Sequence, residues 1–180
     1  MRVIAGSLGG RQFVSPTGHR THPMSEKMRG AMFGVLGDIK GLTVLDPFAG
    51  SGALSFEAIS RGAHSAVLID IDKQAQEAIE ANIETLQLQE RTRYVRANAI
   101  SWSNKNRKQV FNLLLVDPPY DKLPFAVIEK LARNLKPRGI YVLSWPGQFP
   151  APNLPGLEVV SNKHYGDAQL FFYKHIPLAK

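Results

Sequence analysis

One stretch in the first third of the chain decides the fold: Leu-Thr-Val-Leu-Asp-Pro-Phe-Ala-Gly-Ser-Gly, residues 42–52. Its first four residues are mostly apolar and lead into Asp46, which is typical of a strand buried on both faces. The chain then turns at Gly50 and Gly52 and enters the helical pattern of Ala53–Arg61, which Gly62 ends. A strand, a glycine turn and a helix in this order predict the first unit of an α/β fold.

Two further apolar runs, residues 66–70 and 113–117, end on an acid in the same way, at Asp70 and Asp117. Helical periodicity follows each run, over Lys73–Leu88 and over Phe125–Leu135. This alternation predicts βαβ units, and we expect a Rossmann-like α/β fold with a doubly wound, mostly parallel sheet.

The remaining segments complete the predicted domain. We expect weaker strands at Thr92–Ala97 and Ile140–Trp145, and a loop at Pro146–Gly156. The C-terminal segments 157–163 and 168–174 predict an antiparallel hairpin that closes the sheet. Residues 1–40 form a basic N-terminal extension of the single domain 1–180, in which we predict a small hairpin (Val3–Ala5 with Gln12–Val14) and a helix (Ser25–Leu36).

The net charge of the chain indicates which class of partner to consider. Its 180 residues include 22 Lys and Arg against 15 Asp and Glu, a net charge of +7. This surplus is compatible with a nucleic acid partner or with a general solubility charge. A second basic stretch, Arg91–Lys108, holds six Lys or Arg and no acid, and it fits a phosphate contact or a solvated face equally well.

Several classes of protein are excluded or disfavoured. The absence of cysteine excludes disulfides, thiolate zinc sites and cysteine nucleophiles. No secretory or membrane-spanning pattern is present, so we expect a soluble, cytoplasmic protein that does not act at a membrane. His19 and His22 have no other metal-ligating residues near them in the sequence, and we predict no metal site.

The glycine turn has the pattern of a nucleoside-binding site. Gly50 and Gly52 allow a ligand to approach the backbone closely, and Asp70 follows Gly50 at the spacing of an acid that binds a ribose. Ser55 stands where a dinucleotide-binding turn has its third glycine, and Asp46 would oppose a pyrophosphate. S-adenosylmethionine carries a ribose and adenine but no phosphate, and its positive charge suits Asp46. An ordinary turn between a strand and a helix is the alternative.

The second candidate site is Asp117-Pro118-Pro119-Tyr120, directly after a predicted strand. Proline cannot donate a backbone hydrogen bond, so this turn presents acceptors: carbonyl groups and the Asp117 carboxylate. Tyr120 adds a flat aromatic face. Such a site suits the exocyclic amine of a nucleobase, and the alternative is a rigid loop without a ligand.

Together, residues 46–52 and 117–120 resemble the signature pair of S-adenosylmethionine-dependent amino-methyltransferases. Over nearly the whole chain the sequence resembles the RsmD family, the bacterial small-subunit (16S) rRNA guanine-N2 methyltransferases. The segments that carry this resemblance beyond the signature pair are 1–6, 22–33, 50–63 and 163–167.

The resemblance implies a role for each candidate residue. It implies that the methyl donor S-adenosylmethionine binds at the turn and at the two following strand ends, through Asp46, Phe48, Ala49, Gly50, Ser51, Gly52, Asp70, Ile71, Asn98 and Ala99. Catalysis then falls to Asp117, Pro118, Pro119 and Tyr120. The implied substrate is a small-subunit rRNA within an assembling ribosomal particle. In the basic extension, the candidate RNA contacts are Arg2, Arg11, Arg20, His22, Lys27 and Arg29.

Three positions depart from the family pattern. His22 stands where the family has Arg, Gly30 where it has Glu, and Asn98 where it has Asp. An Asn side chain can still accept a hydrogen bond from the adenine amino group through its carbonyl oxygen.

Other functions stay open at this point. The first is a DNA adenine amino-methyltransferase, although the chain has little room for a target-recognition region. The second is an NAD-dependent oxidoreductase, which the missing third glycine disfavours. The third is a non-catalytic RNA-binding protein on a methyltransferase scaffold.

Overall fold

The computed structural model describes residues 1–17, 24–121 and 124–176. It contains one seven-stranded sheet with the strand order β3-β2-β1-β4-β5-β7-β6. The first five strands are parallel, and β7 runs antiparallel between β5 and β6. The strands are β1 (Thr43–Asp46), β2 (Ser65–Asp70), β3 (Thr92–Arg96), β4 (Phe111–Val116), β5 (Leu135–Pro146), β6 (Leu157–Tyr165) and β7 (Ala168–His175).

Helices cover both faces of the sheet, as the apolar strands require. They are α1 (Glu26–Leu36), α2 (Ala53–Ser60), α3 (Lys73–Leu86), α4 (Ala99–Lys105) and α5 (Phe125–Leu131). The apolar side chains of α1, α2 and α3 pack with one face of the strands, and those of α4 and α5 pack with the other. The prediction of a doubly wound, mostly parallel α/β sheet with an antiparallel C-terminal hairpin is therefore confirmed.

Local signals explain where several helices begin. The Ser25 side chain accepts a hydrogen bond from the Met28 amide at the start of α1, and Asp72 caps α3 through the amides of Gln74 and Ala75. The turn residue Gly52 stands at the start of α2, with φ at +83°. Each cap lies just after a strand or loop, so these helices begin close to the positions that their periodicity predicts.

Two element predictions need correction. The helix predicted over Phe125–Leu135 ends at Leu131, a short 3-10 turn follows over Ala132–Asn134, and Leu135 already pairs with Phe111 in the sheet. The helix α4 has no counterpart in the sequence-based prediction, because its seven residues are too few to establish a period.

The N-terminal arm, residues 1–14, contains the small hairpin that we predicted, but its pairing is shorter and shifted. Arg2 and Gln12 form an antiparallel bridge, and four backbone hydrogen bonds between residues 1–3 and 10–13 flank it. Beyond this pairing the backbone binds later parts of the chain, since Glu57 accepts from the Ile4 amide at 2.7 Å and Asn82 accepts from the Val14 amide at 2.8 Å. Side chains of α2 and α3 therefore hold the arm where its own pairing ends.

The arm and α1 share the core of the sheet. Val3, Phe13, Met32 and Phe33 are buried in the same apolar cluster as strand residues such as Leu113. The description of 1–180 as one domain with a basic extension stays a prediction. Among the described residues, no helix is both long enough and apolar enough to cross a membrane.

Candidate active site

The candidate site lies between two neighbouring strands whose following helices pack on opposite faces of the sheet. β1 and β4 are parallel neighbours, yet β1 continues into α2 on one face and β4 leads to α5 on the other. A crevice opens at the carboxyl ends of two such strands, and ligands of open α/β sheets bind there. Asp46 ends β1 and Asp117 follows β4, so the two predicted motifs flank this crevice.

The glycine turn is held by backbone hydrogen bonds. The Ala49 amide donates to the Ile69 carbonyl at 2.9 Å, and the Gly52 amide donates to the Ala49 carbonyl at 2.7 Å. Gly52 must be glycine, because a Cβ atom there would lie 2.5 Å from the Phe56 ring. A Cβ atom on Gly50 would meet nothing within 4 Å, which leaves open space beside the turn.

Asp46 is fully buried below this turn. Its Oδ2 accepts a hydrogen bond from the Ser55 hydroxyl at 2.8 Å, and its Oδ1 has no hydrogen-bond partner among the described residues. The pKa of Asp46 is raised to about 7, mainly by burial; the hydrogen bond from Ser55 opposes this, and the negative charges of Asp117 and Asp70 contribute to it. Both neighbouring acids therefore act on Asp46 at one edge of the sheet, as their positions at strand ends predict.

Asp70 already binds two backbone amides. Its Oδ2 accepts from Gly50 at 2.8 Å and its Oδ1 accepts from Asp72 at 2.9 Å. Each carboxylate oxygen can accept one more hydrogen bond, so a ribose diol can still bind. The neighbouring Ile71 is 62% exposed, and its side chain is available to a flat ligand group.

Asn98 has a role that the sequence reasoning did not include. Its Oδ1 accepts from the amides of Ile100 and Ser101 and so caps α4. Two hydrogen bonds use both lone pairs of this oxygen. The oxygen that we expected to accept from an adenine amino group is therefore occupied, while the amide nitrogen of this exposed side chain makes no hydrogen bond among the described residues. The following Ala99 is buried in the first turn of α4.

The second motif is tied to the neighbouring strand. The Tyr120 hydroxyl lies 2.6 Å from the hydroxyl of Ser144, which is buried near the carboxyl end of β5. Burial raises the pKa of Asp117 to about 6, and a hydrogen bond with Ser144 acts in the opposite direction. Burial also raises the pKa of Tyr120 to about 12, so the phenol stays protonated at neutral pH.

The structure describes four of the six predicted RNA contacts, and their surroundings differ. Arg2 is exposed and forms an ion pair with Glu26 at 3.0 Å, next to the exposed Lys27. Arg11 lies at the end of α3, where it donates to the Leu86 carbonyl. Arg20 and His22 lie outside the described residues.

Arg29 cannot contact a phosphate from where the structure places it. Its side chain is fully buried, its Nη2 donates to the Arg2 carbonyl at 2.6 Å, and its Nε lies 3.9 Å from Glu57 Oε2. Burial lowers the pKa of this guanidinium, while the Glu57 charge raises it. Its assignment as an RNA contact is therefore corrected to a structural role between α1, α2 and the N-terminal arm.

Three further residues support the site without a local sequence signal: Ser55, Ser144 and Asn82. The Asn82 side chain donates to the Ser51 carbonyl at 3.1 Å and to the Val14 carbonyl at 2.9 Å, so it joins the glycine turn to the arm. Only the tertiary structure reveals such contacts. Within the described ranges, no group of three or more His, Asp or Glu side chains could hold a metal ion.

Comparison with known proteins finds a family and close relatives. The family model described as Conserved hypothetical protein 95 matches residues 1–174. "Putative rRNA methyltransferase YlbH" of Bacillus subtilis is 30% identical over 97% of this chain and 98% of that protein. "Ribosomal RNA small subunit methyltransferase D" of Escherichia coli K12 is 35% identical over 67% of this chain and 60% of that protein. A solved structure, "Putative methyltransferase yhhF" from Escherichia coli, matches with a TM-score of 0.84 and 30% identity over 97% of both chains.

Proposed function

From the premise that the chain belongs to the RsmD family, whose model is described as Conserved hypothetical protein 95, we propose that it methylates small-subunit rRNA with S-adenosylmethionine as the methyl donor. Relatives that carry the name of rRNA methyltransferase match it over most of its length. The finer part of the proposal is that the acceptor is the N2 amine of a guanine, within an assembling ribosomal particle in the cytoplasm.

The residues at the glycine turn fit this donor. Asp46 Oδ1 is buried and has no hydrogen-bond partner in the described part of the chain, and a buried carboxylate gains most from a nearby positive charge. The open space beside Gly50 admits a ligand to the backbone, and Asp70 retains acceptor capacity for a ribose. When bound, S-adenosylmethionine supplies an electrophilic methyl group on a positively charged sulfur.

The acceptor-only turn at residues 117–120, across the β1–β4 crevice from the glycine turn, is the observation that carries the proposal. Pro118 and Pro119 have no amide hydrogen, so the backbone there offers oxygens without competing donors. The Asp117 carboxylate and the Pro118 carbonyl each accept one N–H of the target amine. This directs the nitrogen lone pair away from the base ring and toward the methyl donor.

Asp117 also stabilises the charge that develops during the reaction. The nitrogen would become more positive as it gains the methyl group and the bond from that group to sulfur breaks, and a carboxylate held in a partly buried site opposes that charge strongly. The methylated amine then releases one of its two protons to the Asp117 carboxylate or to solvent. The Tyr120 ring is 39% exposed, and its hydroxyl is held by Ser144, so the aromatic face can stack on the target base. The base must leave its own stack to reach this turn.

Methyl transfer from isotope-labelled S-adenosylmethionine tests the proposal. The protein is incubated separately with unmethylated small-subunit particles, free rRNA and duplex DNA, and the labelled nucleoside is identified by mass spectrometry. We expect N2-methylguanosine from the particles and at least about 100-fold slower labelling with Asp117→Asn. Methyladenine from DNA would overturn the assignment of the substrate, and absence of label in every sample would overturn the enzymatic function.

A further inference from the structure

A strongly basic surface lies at the amino edge of the sheet, opposite the candidate active site. α4 ends at Lys105 and β4 begins at Phe111, so the intervening loop lies at the edge where the parallel strands begin. The segment from α5 to β5 reaches the same edge. We call the exposed and half-exposed cations of these two segments, including the ends of α4 and α5 and the start of β5, the amino-edge surface: Lys105, Arg107, Lys108, Lys130, Arg133, Lys136 and Arg138.

Side-chain hydrogen bonds hold the two segments together. Arg133 donates to the Ser103 hydroxyl at 3.0 Å and to Asn104 Oδ1 at 2.8 Å. The fully buried Asn134 donates to the carbonyls of Asn106 and Gln109 at 3.1 Å and 2.8 Å. The loop after α4 is therefore built onto the α5–β5 connection and presents its cations in a defined arrangement.

The positive charge of this surface is not neutralised by the chain. No acid occurs in residues 91–116 or in residues 130–157. None of the ion pairs found within the described ranges involves a member of the amino-edge surface. The nearest acid in the sequence is the exposed Glu129 on α5.

The shape and composition of the loop indicate what it binds. Residues 104–109 line an open depression of about 530 Å³. Every lining residue is cationic or carries a side-chain amide, and such groups donate to phosphate and sugar oxygens. A protein partner usually requires an apolar centre to its interface, and the exposed large apolar side chain next to the depression is Val110, at 36%. An RNA backbone fits this surface better than an acidic protein does.

We propose that the amino-edge surface is a second contact for the phosphate backbone of the RNA substrate, an inference that rests on the proposed function. β4 separates this surface from Asp117, and six strand residues span about 20 Å. The RNA segment bound there is therefore distinct from the nucleotide at Asp117. The surface contributes to affinity for a large, folded RNA and leaves the chemical step unchanged.

The test compares two variants, one with two charges reversed in the loop after α4 and a control with two charges reversed in other elements. Arg107→Glu with Lys108→Glu alters the amino-edge surface. Lys73→Glu with Lys163→Glu changes the net charge equally, but Lys73 begins α3 and Lys163 lies near the end of β6, both at the opposite edge of the sheet. All four side chains are exposed, and circular dichroism and thermal unfolding check that both proteins fold.

Dissociation constants for unmethylated small-subunit rRNA are measured over a series of salt concentrations. We expect the loop variant to bind rRNA at least about tenfold more weakly than the wild type. The slope of log K against log salt concentration should decrease in magnitude by about one to two, because each lost phosphate contact contributes about 0.7–0.9 to it. The control variant changes affinity far less. The rate of methylation at saturating rRNA stays at the wild-type value in both.

Three results would overturn the inference: equal weakening in both variants, no weakening in either, or weaker binding to ribosomal particles with unchanged binding to naked rRNA. The last result would assign the surface to a protein of the particle. Failure of the proposed function has a different signature, since wild-type protein would then bind rRNA through this surface without methylating it.

Discussion

The hydroxyl oxygens of Tyr120 and Ser144 lie 2.6 Å apart, across the gap between β4 and β5. This contact joins the loop that follows β4 to a rigid strand and limits the movement of the Tyr120 ring. The same Ser144 lowers the pKa of Asp117 through a hydrogen bond. One buried hydroxyl thereby positions the residue that we expect to stack on the base and adjusts the residue that accepts its amine.

Ser144→Ala is expected to shift the pH dependence of methylation to higher pH. The variant loses the hydrogen bond that stabilises the Asp117 carboxylate, so a larger fraction of Asp117 is protonated at a given pH. The activity is measured as kcat/KM for rRNA between pH 5 and pH 9.

Tyr120→Phe is the matched control, because it removes the other partner of Ser144 and leaves Asp117 with its hydrogen bond. We expect a lower rate and an unshifted profile. A profile of Ser144→Ala identical to that of the wild type would contradict the positioning role.

Asp117→Asn is expected to reduce kcat by about 10²- to 10³-fold, since it removes a charge that stabilises the transition state. The pKa of Asp117 is raised to about 6, so the active carboxylate predominates above that pH and the wild-type rate falls below it. The residual activity of the variant lacks this acidic limb. S-adenosylmethionine affinity, measured by calorimetry, stays unchanged, and a large loss of that affinity would argue against a purely catalytic role.

Asp46→Asn is expected to stabilise the protein at pH 8 while it weakens S-adenosylmethionine binding. The pKa of Asp46 rises from 3.8 to about 7 on folding. The folded state therefore retains a proton that the unfolded chain loses, and the free energy of unfolding falls as pH rises from about 4 to 7. A shift of this size corresponds to about 4 kcal/mol.

Urea unfolding at pH 5 and pH 8 checks this sign. The stability gain of Asp46→Asn is larger at pH 8, where the wild-type carboxylate is charged and buried. If Asp46→Asn raised the free energy of unfolding equally at both pH values, the substitution would act through packing and not through ionisation.

Asn82→Ala is expected to lower both stability and S-adenosylmethionine affinity. It leaves the Ser51 carbonyl and the Val14 amide without their buried partner, at a cost of about 1–3 kcal/mol for each unsatisfied group. Calorimetry measures the affinity, and hydrogen exchange measures protection at the glycine turn and in the arm. Asn162→Ala, an exposed position on β6, serves as the control and should change neither quantity.

Glu57→Ala is expected to destabilise the protein by about 3–5 kcal/mol and to release the N-terminal arm to proteases. Glu57 is fully buried and accepts from the amides of Ile4 and Ala5 and from Arg61 Nε. The variant also leaves the Arg29 charge buried. Glu77→Ala removes an exposed glutamate of an ion pair on α3 and should cost less than about 1 kcal/mol in the same urea titration.

Short-range patterns predict much of this fold and of the site. Uninterrupted apolar runs place Asp46, Asp70 and Asp117 at strand ends, because such runs form strands buried on both faces. The parallel sheet then brings these strand ends to one edge. The resemblance of the motifs to the RsmD family is likewise confirmed by the family model.

Long-range partners account for what the sequence could not predict. The sequence predicts Arg29 as an exposed cation, but the structure places it in the core beside Glu57, which lies 28 residues later in the chain. The predicted N-terminal hairpin is shorter than expected for a similar reason, since Glu57 and Asn82 accept from the Ile4 and Val14 amides beyond its paired residues. Asn98 has a local role as a helix cap, but α4 is too short to reveal its own start.

The contacts of the N-terminal arm also impose an order on how the protein matures during translation. Ile4 needs Glu57, made 53 residues later, and Val14 needs Asn82, made 68 residues later. At a synthesis rate of 5–20 residues per second, the arm stays undocked for roughly 3 to 14 s after it is made. The arm therefore reaches its native position only after α3 has been synthesised.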